Sequence, residues 1–128
     1  MFRLNYEAVI QVFQDHSRAL IIIFILTNLL FNIIANSSFK LSADSTNWRG
    51  FWSWQVVGNL AGLVTVITLT GLLRYIPLSV AFPLTTGLMV IGVQVVASRL
   101  LFGETISVHR WIGTVLVVAG IVFLTSHD

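Results

Sequence analysis

Residues 19–40 read ALIIIFILTNLLFNIIANSSFK, an apolar run long enough to cross a bilayer. Inside it Asn28, Asn32 and Asn36 recur every four residues, and Lys40 continues the series. Side chains four apart share a helix face, so the spacing predicts a polar stripe on a membrane helix. An amide without a partner in hydrocarbon costs several kcal/mol. The stripe must therefore look into a helix bundle or a cavity, and whatever the protein handles is expected to pass it.

Three further apolar segments make this a bundle. With the first at 19–38, they fall at 51–73, 77–101 and 107–125, each near the roughly 20 residues that span a core of about 30 Å. Apolar residues make up 56% of the chain and charged ones 9%, against about 25% charged in an average soluble domain. The predicted fold class is all-α, an integral membrane bundle of four transmembrane helices in one domain, 18–128, with the lipid bilayer as its first partner. Residues 1–17 carry Val9, Val12, Phe13 and His16 at helical spacing, which predicts a short N-terminal interfacial segment; a frayed tail is the alternative. Trp48, Trp52, Trp54, Tyr75 and Trp111 lie near segment ends, where aromatic rings favour the membrane interface.

Several function classes drop out. The chain has no cysteine, which removes disulfides, thiol catalysis and thiolate metal sites. A formal charge of +2 is too small to suggest a nucleic-acid partner. There is no Gly-rich phosphate loop, no carboxylate pair within a span and no nucleophile elbow, so neither an enzyme nor a cofactor is expected. His109 has no ligand-spaced companion, and no metal site is expected. No cleavable leader pattern precedes residue 19. Arg3, Arg18 and Arg74 fall on one side of such a bundle, and Lys40, Arg49, Arg99 and Arg110 on the other. That balance gives the positive-inside rule little to act on, and leaves open either insertion both ways with antiparallel pairing or orientation by a partner.

Each later span carries its own polar or small residues. In the second, Gln55 and Asn59 are four apart and Gly58 and Gly62 form a GxxxG, followed by Thr65, Thr68 and Thr70. Small residues at that spacing let helix backbones approach. In the third, Thr86, Gln94 and Ser98 share a stripe with Val90, and Pro83 removes a backbone donor near the start. A break or bend is expected there, serving either a cavity lining or packing. In the fourth, Gly113 and Gly120, seven apart, predict a helix–helix seam and make that helix the natural dimer contact; an intramolecular contact is the alternative. Glu104 is expected to cap the third loop or pair with an arginine across it. Lys40 is expected either to snorkel to the interface or to meet a phosphate there.

The segment RYIPLSVAFPLTTGLMVIGVQVVASRLLFGETISVHRWIGTVLVVAGIVFL, residues 74–124, resembles the second half of a four-helix repeat of the drug/metabolite transporter superfamily. It carries the IPLSVAFPL start of the third helix, the LFGE loop and the IG…AG pattern of the fourth. A polar-studded first helix closing on Lys40 and a Gly-rich second helix extend the likeness over residues 20–125. Two small-protein branches compete, both EamA-like in build. The resemblance to small multidrug-resistance proteins implies an antiparallel dimer that exchanges protons for cations through a buried glutamate. Here Asn32 stands at that position, and Thr85 stands where an aromatic residue of the third helix is usual. An amide releases no proton near neutral pH, so that coupling should fail. The AFPL and FGE segments resemble the subunits proposed to flip undecaprenyl-phosphate-linked aminoarabinose, which implies a lipid-linked substrate, with Lys40, Arg49 or Arg110 attracting its phosphate.

The sequence therefore predicts a multi-pass protein of the bacterial inner membrane, a homodimer or a heterodimer with a similar four-helix chain. It is expected to move a lipid-linked sugar or similar polar metabolite along Asn28, Asn32, Asn36, Lys40, Gln55, Asn59, Thr85, Thr86 and Gln94. Export of small cations is one alternative, and a non-transporting accessory subunit is the other.

Overall fold

The computed structural model describes residues 2–126, with side-chain surroundings for Glu7, residues 16–124 and Ser126. Helix α1 runs Phe2–Ala43, α2 Trp48–Leu72, α3 Leu78–Gly92 and α4 Val108–Thr125, and α3 continues as a π-helix, Val93–Leu101. Three stretches are long and apolar enough to cross a membrane: His16–Ala43, Trp48–Leu72 and Leu78–Leu101. A shorter apolar helix, Val108–Leu124, completes the four-helix membrane bundle expected from the sequence.

Local sequence explains where each helix stops. No glycine or proline lies between Phe2 and Ala43, so nothing interrupts α1. Its 42 residues extend about 63 Å at 1.5 Å per residue. The boundary expected at residue 17 is not marked by any break. The helix ends in the turn before Asn47, whose side-chain oxygen accepts the Gly50 N–H at 2.7 Å and caps α2. The N–H of Leu73 still bonds back to Leu69, but Pro77 supplies no donor and instead opens α3 with φ −69°. Pro83 sits inside α3 without breaking it, so of the break or bend expected there the break does not occur. Its missing donor removes one bond near the helix start, where Val80 and Ala81 are both anchored on the Pro77 carbonyl. The irregularity comes later, in the π-helix, which ends with the Phe102 N–H on the Ala97 carbonyl at 3.0 Å. Gly103 then takes φ +62°, a conformation that costs a residue with a Cβ, and the Glu104 N–H closes onto the Ser98 carbonyl at 2.8 Å.

Packing is of the membrane kind, with small residues inside and large ones outside. Ala35, Ala61, Ala81 and Ala97 are buried, while Ile22, Leu26, Leu30, Val66, Leu116 and Phe123 are exposed. Helices α1 and α2 form a close antiparallel hairpin. A Cβ at Gly58 would come within 2.5 Å of the Phe39 ring, and one at Gly71 within 2.7 Å of Phe24. Helix α3 pairs with α4, where Gly87 faces Ile121. The two hairpins join through α1, whose Leu29 and Ile33 lie over Gly92. Helix α2 meets α3 only slightly, and α4 packs on α3 alone.

An open trough lined by amide oxygens

The asparagine row is not straight. Residues four apart advance about 40° around an α-helix at each step, so a row that starts against one neighbour ends against another. Asn28 lies in the α1–α2 seam, on the row of Phe24, Ala35 and Ser42 that meets α2. Lys40 is on the far side, toward the α3–α4 loop, where its Nζ lies 3.4 Å from Asp44 and 3.8 Å from Glu104. Asn32 and Asn36 fall between, on the flank that α1 presents between α2 and α3. On antiparallel α2, Gln55 and Asn59 lie to the same side of the seam. Because α2 and α3 scarcely touch, the flank of α1 between them is left open, and this open flank we call the trough. Asn32 and Gln55 are half-buried there, and Asn36 and Asn59 are exposed.

An amide side chain can be turned end for end, so its neighbours decide which end faces outward. Asn28, 4% exposed, donates to the Thr65 carbonyl at 2.9 Å and to the Thr68 hydroxyl at 3.1 Å. A backbone carbonyl accepts only, which fixes the Asn28 nitrogen toward α2 and its Oδ1 away. Asn32 must then present nitrogen to that oxygen, and does so at 2.8 Å. Asn36 donates to the Asn32 backbone carbonyl at 2.8 Å. Asn59 donates to the Gln55 carbonyl at 2.7 Å and to the Gln55 Oε1 at 3.4 Å. Gln55 donates to the Ser42 hydroxyl, which itself donates to the Phe51 carbonyl. Nitrogens are thus tied down in sequence, and the Oδ1 atoms of Asn32, Asn36 and Asn59 accept no hydrogen bond among the described residues.

The hydroxyls follow the same pattern. Thr65, Thr68 and Thr85 donate to the Gly62, Val64 and Ala81 carbonyls. Asn32, Asn36 and Gln55 each keep one N–H, so the lining offers donors as well as acceptors and carries no formal charge. The carboxylates with described side chains are Glu7, Asp44 and Glu104, none of them in the trough.

The remaining sequence candidates are dispersed. Thr85 is buried with its hydroxyl engaged. Thr86 and Gln94 are half-buried, and no hydrogen bond joins either to the asparagine row among the described residues. Among the described residues Glu104 pairs with Lys40 at 3.8 Å and with no arginine; the half-exposed pair spans the end of α1 and the α3–α4 loop. A Cβ at Gly113 or Gly120 would meet no atom within 4 Å among the described residues, so no other helix of the chain packs closely on either glycine. Sequence reasoning passed over Ser42, which is 1% exposed and links Gln55 to the Phe51 carbonyl. Its signal was the seven-residue spacing Asn28–Ala35–Ser42, two helix turns per step. No group of His, Asp or Glu able to hold a metal occurs among the described residues.

Comparison with known proteins adds two findings. The model of a family described as Small Multidrug Resistance protein matches residues 20–117. The uncharacterized protein y4nH of Sinorhizobium fredii is 36% identical over 61 residues, covering 48% of this chain and 51% of that protein. The chain thus spans about half the length of the curated relative that it matches. No solved structure matches.

Proposed function

This chain belongs to the small multidrug resistance protein family, and we propose that it carries an amphipathic organic cation across the bacterial inner membrane without exchanging it for a proton at a buried carboxylate. The observation that carries this reading is the uncharged lining of amide oxygens in the trough. Three uncommitted carbonyl oxygens present partial negative charge to a solute, and a cation bearing N–H groups satisfies them by charge-assisted hydrogen bonds. Lys40, the nearest candidate for a phosphate, is already paired with two carboxylates. The lipid-linked sugar reading keeps only the AFPL and FGE segments in its support, and the family match favours the cation.

One chain leaves the trough open along its length. Exposed amides facing acyl chains are costly, and a second four-helix chain laid over the flank would enclose them. The outward side of α4, with Gly113 and Gly120 clear of the chain's own atoms, offers close backbone approach for such a partner. The working unit in this proposal is a dimer, of two copies or of two similar chains.

The test is counterflow in proteoliposomes with benzylguanidinium, which stays charged across the neutral range and carries N–H donors. The expected result is uptake that is unchanged between pH 6 and pH 8, needs no pH gradient and is lost in Asn32→Leu. Uptake that follows an imposed pH gradient, or survives Asn32→Leu, overturns the proposal.

A further inference from the structure

We infer that Asn28 is a positioning residue: its buried oxygen holds the Asn32 nitrogen inward and thereby turns the Asn32 oxygen into the trough. The inference rests on the reading of the trough as a cation path, and it removes Asn28 from the lining itself. Asn28 is 4% exposed and has no donor to spare, since one N–H goes to the Thr65 carbonyl and the other to the Thr68 hydroxyl. Its Oδ1 receives Asn32 at 2.8 Å. Nothing else among the described residues orients the Asn32 side chain. Asn36 uses only the Asn32 backbone carbonyl, which any residue at 32 supplies. The chain of constraint therefore begins at the Thr65 carbonyl of α2 and ends at one oxygen facing the trough. Polarity is passed between two helices by a single buried amide.

Loss of that amide should change selectivity before it changes overall capacity. In Asn28→Ala the Asn32 side chain has no fixed acceptor and samples both orientations, so that the trough offers N–H as often as oxygen. Asn28→Asp, as the neutral acid, donates its O–H to the Thr65 carbonyl and keeps an acceptor for Asn32, and is the conservative rescue. Two measurements on the full chain in micelles test this. The first is hydrogen exchange and 15N chemical shift of the Asn32 side-chain amide. The second is equilibrium dialysis of benzylguanidinium against benzyltrimethylammonium, a cation without N–H donors.

In the wild type, the Asn32 amide should be protected and benzylguanidinium preferred. In Asn28→Ala, exchange should accelerate, and the preference should fall about tenfold, the scale of one hydrogen bond to a charged group. Asn28→Asp should restore both. A freely exchanging Asn32 amide in the wild type overturns the inference without any variant having to fold. An unaltered amide in Asn28→Ala overturns it as well. A released amide with an unaltered preference separates the two layers: the orienting contact stands, and the cation path on which the inference rests is refuted.

Discussion

Replacing asparagine by leucine at positions 28, 32 and 36, one at a time, should produce a steep gradient in stability. Residue type and spacing are identical at the three sites, and only the tertiary surroundings differ. Asn28 makes three side-chain hydrogen bonds: two donated to α2 and one accepted from Asn32. Asn32 makes one, and Asn36 makes one to a carbonyl of its own helix while exposed. Interhelical hydrogen bonds in membranes average about 0.6 kcal/mol. Its two bonds to α2 make Asn28→Leu cost about 1 kcal/mol, and more because leucine also crowds a buried seam, which is about fivefold or more in the unfolding equilibrium. Asn32→Leu removes only a bond within α1 and should cost roughly 0.2–0.5 kcal/mol. Asn36→Leu should be neutral or slightly stabilising, because leucine is the better helix former and Asn36 makes no bond to another helix. Unfolding by SDS titration in mixed micelles, followed by far-UV circular dichroism, measures all three on one scale. Equal losses at 28 and 36, or a larger loss at 36, would refute the assignment of Asn28 to the α1–α2 seam and of Asn36 to the open flank.

Three further outcomes are expected. With no native cysteine, a Lys40→Cys/Glu104→Cys pair should be joined in high yield by a short bifunctional maleimide and should slow counterflow, because it ties α1 to the α3–α4 loop; efficient transport by the fully cross-linked protein would show that this end stays closed throughout the cycle. Gly58→Leu should destabilise by about 1–3 kcal/mol through overpacking, because even its Cβ falls 2.5 Å from Phe39, whereas Gly62→Ala, open to 4 Å, should leave the SDS midpoint unchanged or raise it. Gly113→Leu/Gly120→Leu should leave the secondary structure of the chain intact yet shift its mass in sedimentation equilibrium toward the monomer; an unshifted dimer would place the seam elsewhere than on α4.

Much of the bundle was legible because the bilayer allows few answers. In hydrocarbon each backbone N–H and C=O must be satisfied within the segment, so four runs of suitable length imply four helices. Asn47 and Pro77 mark helix starts for equally local reasons. The π-helix at Val93–Leu101 left no such mark, since its bonding differs from that of an α-helix by one residue of register, and Val, Gln, Ala and Ser accept either. Pro83 misled for the converse reason: near a helix start its missing donor leaves the surrounding turns held by their own bonds. Lys40 was legible as the end of the row, but its partner Glu104 lies 64 residues on and was brought there only by the return of α3.

By itself the sequence determined that this chain spans a membrane, that its first span carries amides and no carboxylate, and that those amides recur along one helix. These properties belong to residue types and their intervals, and any fold must respect them. Tertiary structure alone decided which amides are spent and which end of each faces outward. The Thr65 carbonyl on α2 fixes Asn28, Asn28 fixes Asn32, and the drift of a four-residue row around the helix carries Asn36 into the open. An asparagine is donor and acceptor at once, and which of the two it offers is a property of its neighbours.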